Sequence, residues 1–273
     1  MSSFAAPPAA IDRIAPTRRP DDRVVMRQNW NDLLFLHWCV PIEQLRPLIP
    51  EELEIDTFEG RAYVGLVAFT MTGVRPVWSP SVPPLSNFHE TNVRTYVHYQ
   101  GTNPGVWFFS LDAANAVAVR IARALWRLPY FYARMRLQRT AAPVPVSAES
   151  TLKESSAAAY MQVDYTTERL WPRPMPASCS VRYLPSGQPA PAEVGTLEHF
   201  LAERYLLYTC DDRQRLYCGQ VNHLPYPLQT ASVLSLEENM ISAAGIHRGH
   251  EAPLVHYARG VAVDVFPLRP VRH

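Results

Sequence analysis

Residues 88 to 99 read FHETNVRTYVHY, and the even-numbered positions carry a carboxylate, an amide, a guanidinium, a phenol and an imidazole: Glu90, Asn92, Arg94, Tyr96 and His98. Successive strand side chains point to opposite faces, so a strand here aims all five the same way. The odd face carries His89, Thr91, Val93, Thr95, Val97 and Tyr99. The polar face is turned either to water or to the inside of a barrel. In the second case groups able to hold an anion and move a proton converge on one small volume.

Other chemistry-bearing residues are sparse. His223, in NHLPYPL, precedes a Pro-rich turn and could point into a site, although a histidine there also serves as hydrogen-bonded structure. His247, His250 and Glu251 in HRGHE lack the spacing of a zinc helix, and Gly249 opposes a helix, so a solvated loop is expected rather than a metal centre. No nucleophile elbow, dinucleotide loop or P-loop occurs, and neither a metal nor a cofactor is expected. The four cysteines, Cys39, Cys179, Cys210 and Cys218, are scattered without a C-x-x-C pair, which favours reduced thiols and a cytoplasmic protein. The single lysine, Lys153, lies among polar neighbours in STLKESS and reads as a surface residue.

The 273 residues suffice for one large domain, and a net charge of +1 lacks the basic excess of a nucleic-acid binder. No run reaches the roughly 18 uncharged apolar residues of a membrane span, since LLFLHWCV is cut off by Pro41 and Glu43. Neither nucleic acid nor membrane is therefore an expected partner. Residues 1–25, rich in Ala and Pro, read as a flexible tail without a signal-peptide apolar region, and 26–273 as a single domain.

The elements that must position the polar face are mostly strands. LLFLHWCV (33–40) is apolar on both faces, as is RAYVGLVAFTM, where Val64, Leu66 and Ala68 oppose Tyr63, Val67 and Phe69. Pro41 opens a short helical piece. The Pro-rich 75–86 stretch cannot supply ladder donors and is expected to run over the surface or, like a lid, over a cavity mouth. QGTNPG (100–105) turns the 88–99 strand into a hairpin with VWFFSLDA. Asp112 is expected to cap a helix reaching Leu128, with Ala114, Ala118, Ile121 and Leu125 as its apolar face and Arg120, Arg123 and Arg127 as a solvated one. Trp107, Phe108 and Phe109 read as core. Beyond Pro129 a strand resumes at YFYARMRLQ. Further strands are expected near 158–167, 179–184, 215–222 and 254–266, with a helix over 196–208 that buries Leu197, Phe200, Leu201 and Tyr208. The fold class is mainly β, a β-rich α+β chain, in a barrel or sandwich with a few outer helices.

The ordered blocks PLIPEELEIDTFEGRAYVGLVAFTM, FHETNVRTYV, GVWFFSLDAANAVAVRIARALWRLPYFYARM, GTLEHFLAERYLLYT and VNHLPYPLQTA resemble the YqjF-like family of domains of unknown function over roughly residues 27 to 270. More distantly, Glu90 to Met135 resembles the corresponding part of acetoacetate decarboxylase. That resemblance implies a closed antiparallel β-barrel with its site in the lumen, Glu90 at the position of an active-site glutamate, and self-association. It also marks a departure. In the decarboxylase pattern two lysines follow the proline, and the first, activated by a neighbouring cation, forms a Schiff base with the substrate ketone. Here Pro129 is followed by Tyr130 and Phe131, and a phenol cannot form an imine.

The resulting expectation is a barrel that binds a small carboxylate or oxo acid. Arg94 would anchor the carboxylate, Asn92 and His223 would add contacts, and Glu90 and Tyr130 would supply acid–base and hydrogen-bonding chemistry of a lyase-like kind. Glu90 and Arg94, roughly 13 Å apart along the strand, would be bridged by a ligand rather than paired directly. The alternatives are a non-catalytic binding or sensing module and a scaffold with a filled lumen. If Lys153 lies at the surface, borohydride reduction in the presence of oxo acids and aldehydes leaves the intact mass unchanged. An adduct that disappears in Lys153→Arg would put that lysine in the pocket instead.

Overall fold

The two runs that are apolar on both faces form the C-terminal half of one 15-residue strand and the N-terminal part of another, where side chains on both faces are buried. The computed structural model describes residues 11–141, 161–172 and 176–271, so Lys153 lies outside the described residues. The strands are β1 (Met26–Val40), β2 (Leu53–Ile55), β3 (Ala62–Pro76), β4 (Phe88–Tyr99), β5 (Thr102–Ala113), β6 (Tyr130–Ala141), β7 (Met161–Trp171), β8 (Ser178–Ala190), β9 (Leu206–Cys210), β10 (Leu216–Asn222), β11 (Leu228–Glu238), β12 (Leu254–Val265) and β13 (Arg269–Pro270). Short helices, α1 (Ile42–Leu45), α2 (Pro83–Ser86), α4 (Leu197–Ala202) and α5 (Met240–Ala243), accompany one longer helix, α3 (Ala116–Trp126).

All the strands belong to one closed, largely antiparallel sheet that forks at two places. β5 pairs in parallel with β6 through Leu111–Ala113 and with β9 through Val106 and Trp107. β12 pairs with β11 through His256–Ala258 and with β10 through Asp264 and Val265. Two circuits result, one closed by β9 and β10, the other by β6, β7, β8 and β11, and both share β12–β1–β3–β4–β5 as a septum. On one side of the septum Leu34, Leu36, Leu66 and Val93 pack with Tyr165, Val181 and Tyr183. On the other, Leu33, Phe35, Val67 and Phe69 line the second lobe. The two-faced apolar runs are thus strands with an interior on each side.

Bulges set which residues face which lobe. Val93 lies opposite Ser110 but Arg94 opposite Phe108, so Phe109 is an extra residue in β5. The alternation changes phase there, and Val106, Phe108 and Leu111 all reach the same lobe. A similar irregularity at Asp32, whose φ is 52°, lets Trp30 join Leu33 and Phe35 on one face of β1. β4 pairs with β3 without interruption from Phe88 to Thr95, and the alternation read from its sequence survives intact. Gln100 and Gly101, at φ 49° and 69°, make the two-residue turn to β5.

Several expectations are corrected. The residue that caps α3 is Asn115, whose side chain accepts from the Val117 and Ala118 amides at 3.0 Å, and not Asp112. Asp112 completes β5 and forms a bidentate pair with Arg169 of β7, both contacts 2.7 Å. The helix expected over 196–208 ends at Ala202, and Leu206–Cys210 becomes β9 because its backbone is needed between β5 and β10. Strand β11 had no counterpart in the sequence reading. On α3 the expected apolar face is only partly covered, with Ile121 50% and Leu125 69% exposed. Residues 11–25 are not free: Arg13 pairs with Asp56, Arg19 bonds Asp264 at 2.6 Å, and Gln220 and Asn222 donate to Pro16 and Thr17 carbonyls. No helix among the described residues is long and apolar enough to cross a membrane.

The Asp112–Arg169 pair is nearly inaccessible, with side chains 0% and 5% exposed, and Arg169 also lies 3.7 Å above the Phe131 ring. Removing one member strands the other charge inside the protein. Arg169→Met should cost about 3–5 kcal/mol in urea unfolding; a loss below about 1 kcal/mol would show that water reaches Asp112.

Candidate functional site

The β9–β10 lobe encloses a cavity of about 380 Å³, within the range of small-molecule sites. β4 contributes Glu90, Asn92 and Arg94 from its even face, β6 contributes its first residue, Tyr130, and Arg204 enters between α4 and β9. The Tyr130 hydroxyl donates to Glu90 Oε2 at 2.8 Å. Pro129 ends the chain's exit from α3, and Tyr130 pairs with Leu111 of β5, so its ring is delivered to the β4–β5 junction. Glu90 is 3% exposed. Burial drives its carboxyl up to about 7, although the Tyr130 and Asn92 hydrogen bonds oppose this. Burial, and the carboxylate beside it, raise the Tyr130 phenol well above its ordinary range.

Arg94 is buried, and the structure leaves part of its hydrogen-bonding capacity unused. One terminal nitrogen donates to Leu201 O at 3.1 Å, while Nε has no partner. None of the ion pairs among the described residues includes it. The guanidinium lies 5.7 Å from the centres of the Phe35 and Tyr96 rings. Asn92 Oδ1 is also buried without a partner. By contrast Arg204 is paired with Asp56 at 2.7 Å, a carboxylate it shares with Arg13, and is held by Phe200 O at 2.7 Å. The cavity therefore combines a largely neutral acid, a phenol donor, an unspent amide oxygen and an uncompensated cation.

Below Arg94, Tyr96 donates to Leu201 O at 2.8 Å and meets His37 Nε2 at 2.6 Å. Burial and the nearby Arg94 charge hold His37 well below its ordinary pKa, so it is neutral and structural. Gly65, opposite Arg94 in the β3–β4 register, makes room for that ring: a Cβ there would stand 2.9 Å from His37 Cδ2.

The structure brings together Glu90, Asn92, Arg94 and Tyr130, but it sets His223 apart. The His223 ring stacks on Tyr205 at 4.4 Å and lines a neighbouring cavity of about 610 Å³ that shares Gln28, Arg75 and Tyr205 with the first. Its Nδ1 donates to Leu224 O at 2.7 Å, and burial lowers it to about 4. The HRGHE segment is a loop in which the His247 amide donates to Gln44. Of the three aromatics in β5, Phe108 lines the site, whereas Trp107 and Phe109 pack against the other lobe. The sequence reading missed Arg204, because AERYLLY was assigned to a helix, and it missed the Leu201 carbonyl, which no side-chain pattern can indicate. The Pro-rich segment contributes Arg75, Pro76, Ser79, Pro80, Val82 and Leu85 to the cavity lining, and Asn115 Nδ2 ties it to α3 through Leu85 O at 2.9 Å.

The fold is similar to that of acetoacetate decarboxylase-like proteins, as comparison with solved structures shows. MppR, an enduracididine biosynthesis enzyme solved with pyruvate, superposes with a TM-score of 0.60 at 13% identity, covering 91% of each chain. An acetoacetate decarboxylase-like enzyme from Sphingomonas wittichii RW1 gives 0.58 at 10% identity, covering 92% of this chain and 94% of that one. Acetoacetate decarboxylase from Legionella pneumophila gives 0.55 at 11% identity over 98% of both. The sequence itself matches the DUF2071 family, described as an uncharacterized conserved protein, over residues 27–262, and the chain belongs to that family. It is 37% identical over 250 residues to the uncharacterized protein YqjF of Bacillus subtilis (strain 168), covering 92% of this chain and 94% of the relative.

The elevated Glu90 value makes stability depend on pH. The folded chain retains a proton that the unfolded chain releases near the ordinary 4.5, so stability falls as pH rises from there through about 7. The slope is about 1.4 kcal/mol per pH unit. Unfolding free energies at pH 5 and pH 7 should therefore show wild type losing about 2 kcal/mol relative to Glu90→Gln. An unchanged difference would mean that the carboxyl titrates in its ordinary range.

Proposed function

We propose that this chain binds a small organic anion, a carboxylate or oxo acid, in the β9–β10 lobe, and that Glu90 and Tyr130 exchange protons with it without forming an imine. One observation carries the reading: a buried carboxyl and a phenol share a hydrogen bond in a cavity that also receives the unpaired charge of Arg94. Arg94 takes the substrate carboxylate. The Tyr130 hydroxyl turns from Glu90 to donate to the neighbouring carbonyl oxygen, and Glu90, ionised in part near neutral pH, removes a proton from the adjacent carbon to give an enolate that this hydrogen bond stabilises. Returning the proton to that carbon closes the cycle with no net change of charge. The pyruvate named for MppR, a 2-oxo acid, is of the same chemical class.

A second reading, a non-catalytic binding or sensing module, draws on Tyr130, which occupies the position where the decarboxylase pattern has its Schiff-base lysine. The four free thiols accord with a reducing compartment under either reading. Calorimetric titration with pyruvate, together with deuterium incorporation at its methyl carbon followed by NMR, separates the two. The catalytic reading expects saturable binding, a ten- to hundredfold weaker affinity in Arg94→Gln, and exchange slowed about 10²–10⁴-fold in Glu90→Gln. Binding without protein-dependent exchange favours the sensing module. No binding of pyruvate or of longer oxo acids sinks both.

A further inference from the structure

Glu90, Asn92, Arg94 and Tyr130 occupy only one part of the cavity. Most of the remaining wall comes from Trp30, Leu33, Phe35, Val67, Phe69 and Met71, with further apolar side chains from β5, β9, β10 and β12, interrupted by Gln28, Arg75 and Ser79. At least five of these are nearly inaccessible, Leu33, Phe35, Val67, Phe69 and Met71 being at most 5% exposed, so they are fixed interior surface. A three-carbon oxo acid has six non-hydrogen atoms. Giving each at most a water's share of about 30 Å³, it fills less than half of the 380 Å³. Such an acid would leave an apolar void beyond its methyl group, where water finds no partners.

The apolar lining also continues to the surface. Val82 and Leu85 on the Pro-rich side, and Val117 and Ile121 on α3, all line the cavity while remaining 47–50% exposed. The Asn115–Leu85 hydrogen bond, 2.9 Å, holds these two rims together. The Glu90–Arg94 cluster at one end and a largely apolar wall running out to half-exposed Val82, Leu85, Val117 and Ile121 describe a binding site with two chemical ends.

We infer that the ligand is an amphipathic acid: a carboxylate or 2-oxo acid head held by Arg94 and Tyr130, carrying an unbranched apolar tail that runs along the β1–β3 wall toward the rim between Leu85 and Ile121. This rests on the anion reading proposed above. After the head group is seated, the remaining volume takes about six carbon atoms. Tail length is then the main determinant of specificity, and the residues that set it are Val82, Leu85, Val117 and Ile121, none of which touches the reacting atoms.

The test is isothermal titration of the full chain with straight-chain 2-oxo acids of about three to ten carbons and, separately, with primary alcohols of the same lengths. Affinity should tighten about fourfold per added methylene until the cavity is full and then level off. The alcohols should bind at least tenfold more weakly than the matched acids. Ile121→Asp, at a half-exposed helix position, should leave pyruvate binding within about twofold and weaken the eight-carbon acid at least tenfold. Equal affinity along the acid series, with pyruvate bound, overturns the tail and leaves the anion reading standing. Acids and alcohols bound equally well overturn the anion head. Absence of binding across both series overturns the whole assignment.

Discussion

Everything in this molecule depends on a septum of strands that has an interior on each side. A strand exposed on one face can leave its polar side chains to water. β4 cannot, because every residue from Glu90 to Tyr99 is buried. Its polar groups must therefore find partners within the protein or remain unsatisfied at a cost of about 1–3 kcal/mol each. The odd face satisfies its hydroxyls: Thr91 pairs with Thr167 at 2.7 Å, and Thr95 donates to Tyr63 O at 2.8 Å. The even face leaves Asn92 Oδ1 and Arg94 Nε without partners. Two faces of one strand, folded under the same constraint, thus reach different ends, and the unsatisfied one borders the cavity.

On the resemblance to the decarboxylase pattern, a phenol stands where that pattern has its lysine, a difference that bears on the electrostatics of the site as well as on its covalent repertoire. An ammonium beside Glu90 would hold the carboxyl ionised, since an opposite charge nearby lowers a carboxyl pKa. Tyr130 is neutral, and its hydrogen bond does not outweigh the burial that lifts Glu90 to about 7. Under the proposed function, Glu90 is then an acid–base group poised near neutrality, where proton transfer is most efficient. Phe131, the next residue, lies under Arg169, so the second position after Pro129 serves the Asp112 ion pair at the edge of the other lobe.

What the sequence made legible follows the continuity of its strands. β4 was read correctly because it pairs with β3 without a bulge through its polar residues, so a period of two holds and Glu90, Asn92 and Arg94 share a face. β1 and β5 change phase at Asp32 and Phe109, and period-two reasoning assigns Trp30 and Phe35, or Phe108 and Leu111, to opposite faces although all four line one cavity. Leu206–Cys210 continues the apolar spacing of α4, so nothing local distinguishes its strand from helix; the pairing that decides the matter is with Val106 and Trp107 of β5, far away in sequence. His223 carried a plausible residue type, but its direction depends on stacking against Tyr205, which the misassigned helix concealed.

Charge balance links the two ends of the proposed chemistry. With Glu90 protonated, the cavity carries a net positive charge: Arg94 and Arg75 have no ion-pair partner among the described residues, and Arg204 shares the single carboxylate of Asp56 with Arg13. A monoanion bound there offsets part of that charge, and a buried site gains most when its charges cancel. With Glu90 ionised, the same monoanion would meet a second carboxylate in a volume of about 380 Å³. Anion binding therefore favours protonated Glu90, and protonated Glu90 favours the anion. Proton abstraction by Glu90 has to work against that coupling, and the developing charge on the substrate oxygen makes it feasible: as the carbon gives up its proton, negative charge moves toward Tyr130, while Glu90 becomes neutral again. The transfer leaves the net charge of the site unchanged, the carboxylate of Glu90 giving way to an enolate on the substrate, and the Tyr130 hydrogen bond to that oxygen is what favours the enolate side.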